Sequence, residues 1–279
     1  MPYVLYEGTK LYWDQLGSGP PVLLIQGLGF THEMWFRVLP VLQDEYRVIL
    51  FDNRGIGRSD VPRGPYPIRL MARDACAVLD AAGVSAAHVI GASMGGMIAQ
   101  EMAHRCPERV LSLVLACTSY GGLGVCWPDP RRIPFGMLWS KGPWAERGRS
   151  TERLIYASGT PRDRLEEDLR IRCNCRWTRK GFLNQLAGIL AWNSYRWLPT
   201  LQIPVLVVHG DEDHLIPVQN GEALARRIPG ARYCQIRGAG HILITDQPEA
   251  CRQEIGGFLS RQIAATLSNP NVTFSRSRT

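Results

Sequence analysis

The chain has 279 residues, 45% of them hydrophobic, and a net charge of +7 from 32 basic and 25 acidic residues. That length suffices for one large core, and no apolar run approaches the roughly 18 residues of a membrane span. The opening residues Met1 to Gly8 lack the basic-then-apolar pattern of a secretory signal, and the eight cysteines form no CxxC pair, so free thiols in a cytoplasmic protein are expected.

Strand and helix signals alternate over the first 120 residues. Tyr3–Tyr6 and Lys10–Leu16 read as an antiparallel hairpin around Glu7-Gly8-Thr9. Val22–Ile25 is continuously apolar, as a strand buried on both faces should be. Met34–Leu42 has helical spacing, Tyr46–Phe51 is a strand, and Met71–Ala82 is an amphipathic helix ended by Gly83. Ala87–Ile90 is a strand, Met94–Arg105 a helix, and Val110–Cys117 a further buried strand.

The pattern breaks over 121–200, where helical patches lie near Glu152–Ala157, Arg162–Arg172 and Phe182–Trp192. It resumes with strand Pro204–His209, helix Gly221–Arg227, strand Arg232–Ile236 and helix Pro248–Ala264. Alternation of this kind predicts a mostly parallel sheet covered by helices on both faces. Residues 1–120 and 200–268 are expected to form this α/β core, 121–199 an insertion into it, and 269–279 a disordered polar tail.

The charge is local. Residues 125–200 carry 14 basic and 7 acidic residues, a difference of +7, which is the whole net charge. The same stretch or its edge holds six of the eight tryptophans: Trp127, Trp139, Trp144, Trp177, Trp192 and Trp197. No nucleic-acid motif accompanies them, and acids at 152, 163 and 166–168 interleave with the arginines. Helical ion pairs on a solvated face are therefore expected, not nucleic-acid binding. The basic stretch also offers a surface for an acidic partner such as an acyl carrier protein.

The chemistry centres on Gly91-Ala92-Ser93-Met94-Gly95, which follows a strand and opens a helix. This Gly-x-Ser-x-Gly turn presents a serine hydroxyl clear of the chain, at a helix N-terminus. A serine nucleophile needs a base, and the base an orienting acid. On a doubly wound sheet, reactive groups collect at the carboxyl ends of the strands. The strand Pro204–His209 runs into Asp211, Glu212 and Asp213, and the strand Arg232–Ile236 into Gly238-Ala239-Gly240-His241. The chain order is thus serine, acid, histidine, with the acid open among three candidates.

Together with Gln26-Gly27-Leu28-Gly29 and Asp52–Ser59, these segments resemble the α/β-hydrolase fold, in its lid-bearing esterase, lactonase and C–C hydrolase branch, over residues 1 to about 265. The resemblance implies an eight-stranded, mostly parallel sheet with a mainly helical lid inserted after strand 6. It selects Asp213 as the acid of a Ser93–Asp213–His241 triad and the backbone N–H groups of Leu28 and Met94 as the oxyanion hole. Gln26 stands where the family commonly has histidine. The turn Asp52–Asp60 fits no phosphate-loop pattern and is expected to brace the site through Asp52 and Arg54.

The chemistry implied is hydrolysis of a small to medium apolar ester or lactone, with no metal or other cofactor. Trp35, Trp192 and Ile242 are expected to line the substrate pocket. Alternatives are cleavage of a C–C bond, hydrolysis of a carrier-linked methyl ester, and a non-enzymatic ligand receptor. The oligomeric state is not legible in the sequence.

Overall fold

The structure is a computed structural model that describes residues 2–132 and 149–267. Its eight strands are β1 (Tyr3–Tyr6), β2 (Thr9–Leu16), β3 (Pro21–Ile25), β4 (Arg47–Phe51), β5 (Ala87–Ala92), β6 (Val110–Ala116), β7 (Val205–Gly210) and β8 (Arg232–Ile236). They form one sheet in the order β1-β2-β4-β3-β5-β6-β7-β8. Only β2 runs against its neighbours. Every residue of β3 and β7 is buried, because helices cover both faces.

Helices α2 (Ile68–Ala81) and α3 (Met94–Arg105) pack on one face, where Leu23, Val89, Ile98 and Leu113 meet Met71 and Val78. Helices α1 (Leu39–Glu45) and α10 (Gly257–Leu267) cover the other, where Leu24, Ile90 and Val208 meet Leu42, Phe258 and Leu259. After β4 the chain crosses back over β3 to place β5 on its far side. That reversal opens a crevice at the carboxyl ends of β3 and β5. Gln26-Gly27-Leu28-Gly29 and Ser93 follow those two ends.

Among the described residues, three α-helices come between β6 and β7: α4 (Arg149–Ile155), α5 (Arg162–Asn174) and α6 (Arg179–Leu190). Gly121 and Asn193 form a β-bridge at the neck of this insertion. Trp139, Trp144 and the tail after 268 lie outside the described residues. Arg162 pairs with Glu152 at 3.2 Å and Glu166 at 3.4 Å on the surface. The expected solvated face is wrong for Asp168 and Arg172, which are buried against the core.

Two helical expectations are corrected. Met34–Leu42 is not one helix: a 3-10 turn spans His32–Trp35 and α1 starts afresh at Leu39. Pro40 fits the first turn of a helix but would clash inside one. Pro248–Ala264 is likewise broken into α9 (Pro248–Cys251), a π turn at Arg252–Gly256, and α10, at the helix-weakening pair Gly256-Gly257. The short α7 (Gln219–Arg227) and α8 (Leu243–Asp246) complete the chain.

Trp192 closes the insertion onto the core by donating its indole N–H to the buried carboxylate of Glu101 on α3, at 2.8 Å. Trp192→Phe removes that donor together with part of the buried ring. It should lower unfolding free energy by about 1–3 kcal/mol, read as a lower urea midpoint at unchanged slope. An unaltered midpoint would show that the bond does not hold the insertion.

Candidate active site

Ser93 has φ 55° and ψ −121°, a strained conformation for a residue with a side chain. Its N–H donates to Ala116 O at 2.9 Å, and its carbonyl accepts from Thr118 Oγ1 at 2.7 Å and Gly96 N at 2.9 Å. Gly95 lets α3 approach β3: a Cβ there would lie 2.1 Å from Ile25 O. The loop after β3 is pressed against the serine, since a Cβ on Gly27 would lie 2.9 Å from Ser93 Cβ and 3.4 Å from its Oγ.

That loop has a selective pattern of hydrogen bonds. Gly27 N donates to Gln26 Oε1 at 3.1 Å, and Gly29 N donates to Gln185 Oε1 at 3.1 Å. The N–H of Leu28 between them, and that of Met94 at the start of α3, have no acceptor among the described residues. Gln26 thus braces the loop itself. Gln185, fully buried on α6, also donates to Arg54 O at 2.8 Å and so ties the loop to the turn after β4.

The three acids after β7 have separate partners. Asp211 Oδ1 accepts from Gly238 N at 2.7 Å, and Glu212 Oε2 from Ser158 N at 2.8 Å. Asp213 Oδ1 accepts from Leu215 N at 3.0 Å and Ile216 N at 2.8 Å, while Oδ2 lies 2.8 Å from His241 Nδ1. Burial raises the pKa of Asp213, but His241 and His209 outweigh it and hold the carboxyl well below the usual range. An ionised carboxylate only accepts, so Nδ1 of His241 carries the proton and Nε2 is left as an acceptor. No hydrogen bond joins Ser93 Oγ to His241 among the described residues; such bonds tighten in substrate complexes. Ala92 and His241 line the same 40 Å³ cavity.

The sequence-based family profile described as alpha/beta hydrolase fold matches residues 20–141 and 143–248. This chain belongs to the alpha/beta hydrolase fold family. A putative carbamate hydrolase of Azorhizobium caulinodans is 32% identical over 265 residues, covering 92% of this chain and 98% of the relative. A poly(3-hydroxyalkanoate) depolymerase of Ectopseudomonas oleovorans is 33% identical over 255 residues, covering 90% and 88%. Among solved structures, an enol-lactonase from Burkholderia xenovorans superposes with a TM-score of 0.81 at 26% identity, covering 93% of this chain and 100% of its own.

Other residues of this alpha/beta hydrolase fold around the site have distinct jobs. Trp35 and Ile242 line the cavity beside His241. Trp192 does not: its expected place in the pocket is corrected, because its indole N–H seeks the buried Glu101 on α3. His32 lies with Nδ1 2.7 Å from Asp52 Oδ1, and Arg54 pairs with buried Asp74 at 2.5 Å, so the turn after β4 is held by internal bonds. Burial lifts Asp74 to about 6 against the opposing pull of Arg54. His88 is buried beside Ser112 at 2.8 Å, and burial depresses it to about 4. Cys117, His209 and Asp213 lie close enough together to suggest a metal site. Burial pushes the Cys117 thiol well above its ordinary range, and Asp213 is already engaged by His241, so the donor set suits protein contacts better than a cation.

Two buried carboxylates tie the insertion to the His241 loop. Asp168 accepts from Tyr156 OH at 2.9 Å, Thr245 Oγ1 at 2.7 Å and Arg37 at 3.1 Å. Asp246 accepts from Gly240 N at 2.6 Å, Thr160 Oγ1 at 2.5 Å and Ala157 N at 3.3 Å. The sequence marked Asp168 only as a surface ion-pair residue, and gave no signal for Asp246 or Gln185. The guanidinium of buried Arg172 lies 5.2 Å over the Phe30 ring, and its Nε and Nη2 have no acceptor.

Burial raises Asp246 to about 6, against the bonds from Thr160, Gly240 and Ala157. The folded chain therefore binds this proton more tightly than the unfolded chain does. Its contribution is full below the ordinary carboxylate value near 4 and is lost as the pH rises to about 6. Asp246→Asn should flatten the decline in urea midpoint between pH 4 and 6. An equal slope in the variant would refute this.

Proposed function

We propose that this hydrolase cleaves a small to medium apolar carboxylic ester or lactone through an acyl-enzyme on Ser93. The observation that carries the reading is Asp213: two backbone N–H groups fix one oxygen, and the other meets His241 Nδ1 at 2.8 Å. Nε2 of His241 takes the proton of Ser93 as Oγ attacks the carbonyl carbon. The unpaired N–H groups of Leu28 and Met94 receive the oxyanion. The leaving oxygen takes the proton from His241, and water, deprotonated by the same nitrogen, cleaves the acyl-enzyme. Helices α4–α6 form the lid. The relatives named above, a depolymerase of a polyester and an enol-lactonase, support acyl chemistry of this kind.

A second reading, cleavage of a C–C bond in an acid-bearing vinylogous diketone, is favoured by Arg172. Two of its nitrogens, Nε and Nη2, are buried with no acceptor among the described residues, which is costly, and a substrate carboxylate would offset that cost.

The deciding experiment is a turnover panel of esters, lactones and a vinylogous diketone carboxylate, with Ser93→Ala as control. Esters or lactones should be turned over fastest, and Ser93→Ala should lose at least roughly 10³-fold in kcat. Retention of ester turnover by that variant would overturn the mechanism; preference for the diketone would select the second reading. Gln185→Leu, which releases Gly29 N, should lower kcat about tenfold with little change in KM, since it loosens a donor loop used in the transition state. A rise in KM alone would assign Gln185 to substrate binding instead.

A further inference from the structure

Two voids lie on the α1 and α10 side of the sheet. The inner one, 40 Å³, is lined by Gln26, Phe30, Met34, Ala92 and His241, so it begins beside the nucleophile and its base. The outer one, 380 Å³, lies between α1 and the C-terminal helices and is walled by Val41, Leu42, Tyr46, Cys251 and Gly256. Trp35, Ile90, Ile244 and Ile255 line both. The voids therefore meet at a waist made of one indole and three isoleucines. We propose that they form one passage, which takes the unbranched alkyl tail of the substrate held at Ser93. The proposal rests on the ester-hydrolase reading and names its substrate class.

The lining is matched to such a tail. Gln26 and His241, at the reactive end, are the polar residues of the inner void, and the waist is apolar but for the indole N–H of Trp35, which has no acceptor among the described residues. The charged residues Arg37, Glu45, Glu249 and Arg252 belong to the outer void. An apolar body with polar groups at its ends is the usual form of a small-molecule site. The inner void has room for about three water-sized groups. A tail of up to about four carbons therefore ends at the waist, and a longer one passes into the outer void.

The C-terminal segment keeps the passage open. The π turn at Arg252–Gly256 interrupts the helix at the waist, where Ile255 lies, and π turns recur at functional positions. Gly256 then leaves the outer wall without a side chain: a Cβ there would meet no atom within 4 Å. A larger residue at 256 would enter the void without displacing backbone. Val41, 41% exposed on α1, offers the same from the facing wall.

Two substrate series separate the source of the tail: p-nitrophenyl esters with acyl chains of two to ten carbons, and acetate esters of alcohols of the same lengths. In one series, kcat/KM should rise beyond four carbons, by up to roughly fourfold per buried methylene. The ratio of ten-carbon to two-carbon kcat/KM in that series should fall at least tenfold in Gly256→Leu and in Val41→Trp. A chain-length profile unchanged in both variants would overturn the proposal. If no ester is turned over by the wild-type chain, the ester reading fails on its own, and binding decides the passage. Calorimetric titration of Ser93→Ala with decanoate and with 1-decanol should show one of them binding, at least tenfold more weakly when Gly256→Leu is added. Equal affinity with and without Gly256→Leu, or no binding of either, would refute the passage.

Discussion

Ser93 is held at φ 55° by contacts from the two strands that flank its own rather than by its own preference. Its N–H is fixed by Ala116 at the end of β6 and its carbonyl by Thr118 just beyond. The helix behind it is fixed by the backbone approach of Gly95 to Ile25 at the end of β3. A conformation of this kind costs of order 1–3 kcal/mol and persists only where its surroundings over-determine it. The sheet order supplies those surroundings, because β3, β5 and β6 are neighbours although β4 separates β3 from β5 in sequence. The same constraint sets the distance from Ser93 to the loop carrying Leu28, so the serine and the backbone N–H groups of Leu28 and Met94 are positioned by one piece of packing.

His241 is positioned by a second, largely polar system. Asp213 Oδ1 is saturated by backbone donors, and its Oδ2 is shared between His241 Nδ1 at 2.8 Å and His209 Nε2 at 3.3 Å. Asp246 holds Gly240, and Ile242 N donates to Ile155 O at 3.0 Å, so the loop carrying His241 is bonded to the insertion as well as to the sheet. These are buried bonds to ionised or backbone groups, which are strong when satisfied and costly when one partner is missing.

The alternating pattern of the first 120 residues made the sheet legible, because buried parallel strands must be apolar throughout and their connections must be helical. The elbow and the Gly238–His241 loop were legible because their chemistry demands glycine at fixed offsets. The start of the helix at Leu39 was misjudged because apolar spacing continues across Pro40, which a helix tolerates in its first turn but not in its interior. The inserted helices hid their essential residues for a different reason. Asp168, Gln185 and Trp192 look like surface or pocket residues in one dimension, and only their partners on other elements, Tyr156, Gly29 and Glu101, give them meaning. Tertiary hydrogen bonds over 12 to 156 positions of sequence leave no periodic trace.

The insertion is bonded at both ends of the reactive centre: α4 to the His241 loop through Ile155 and Ile242, and α6 to the oxyanion loop through Gln185 and Gly29. Raising α4 would strain the Ile242 bond beside His241, and raising α6 would release Gly29 from Gln185. Movement of either helix is therefore coupled to the loop beneath it, so the shape of the roof and the shape of the floor change together.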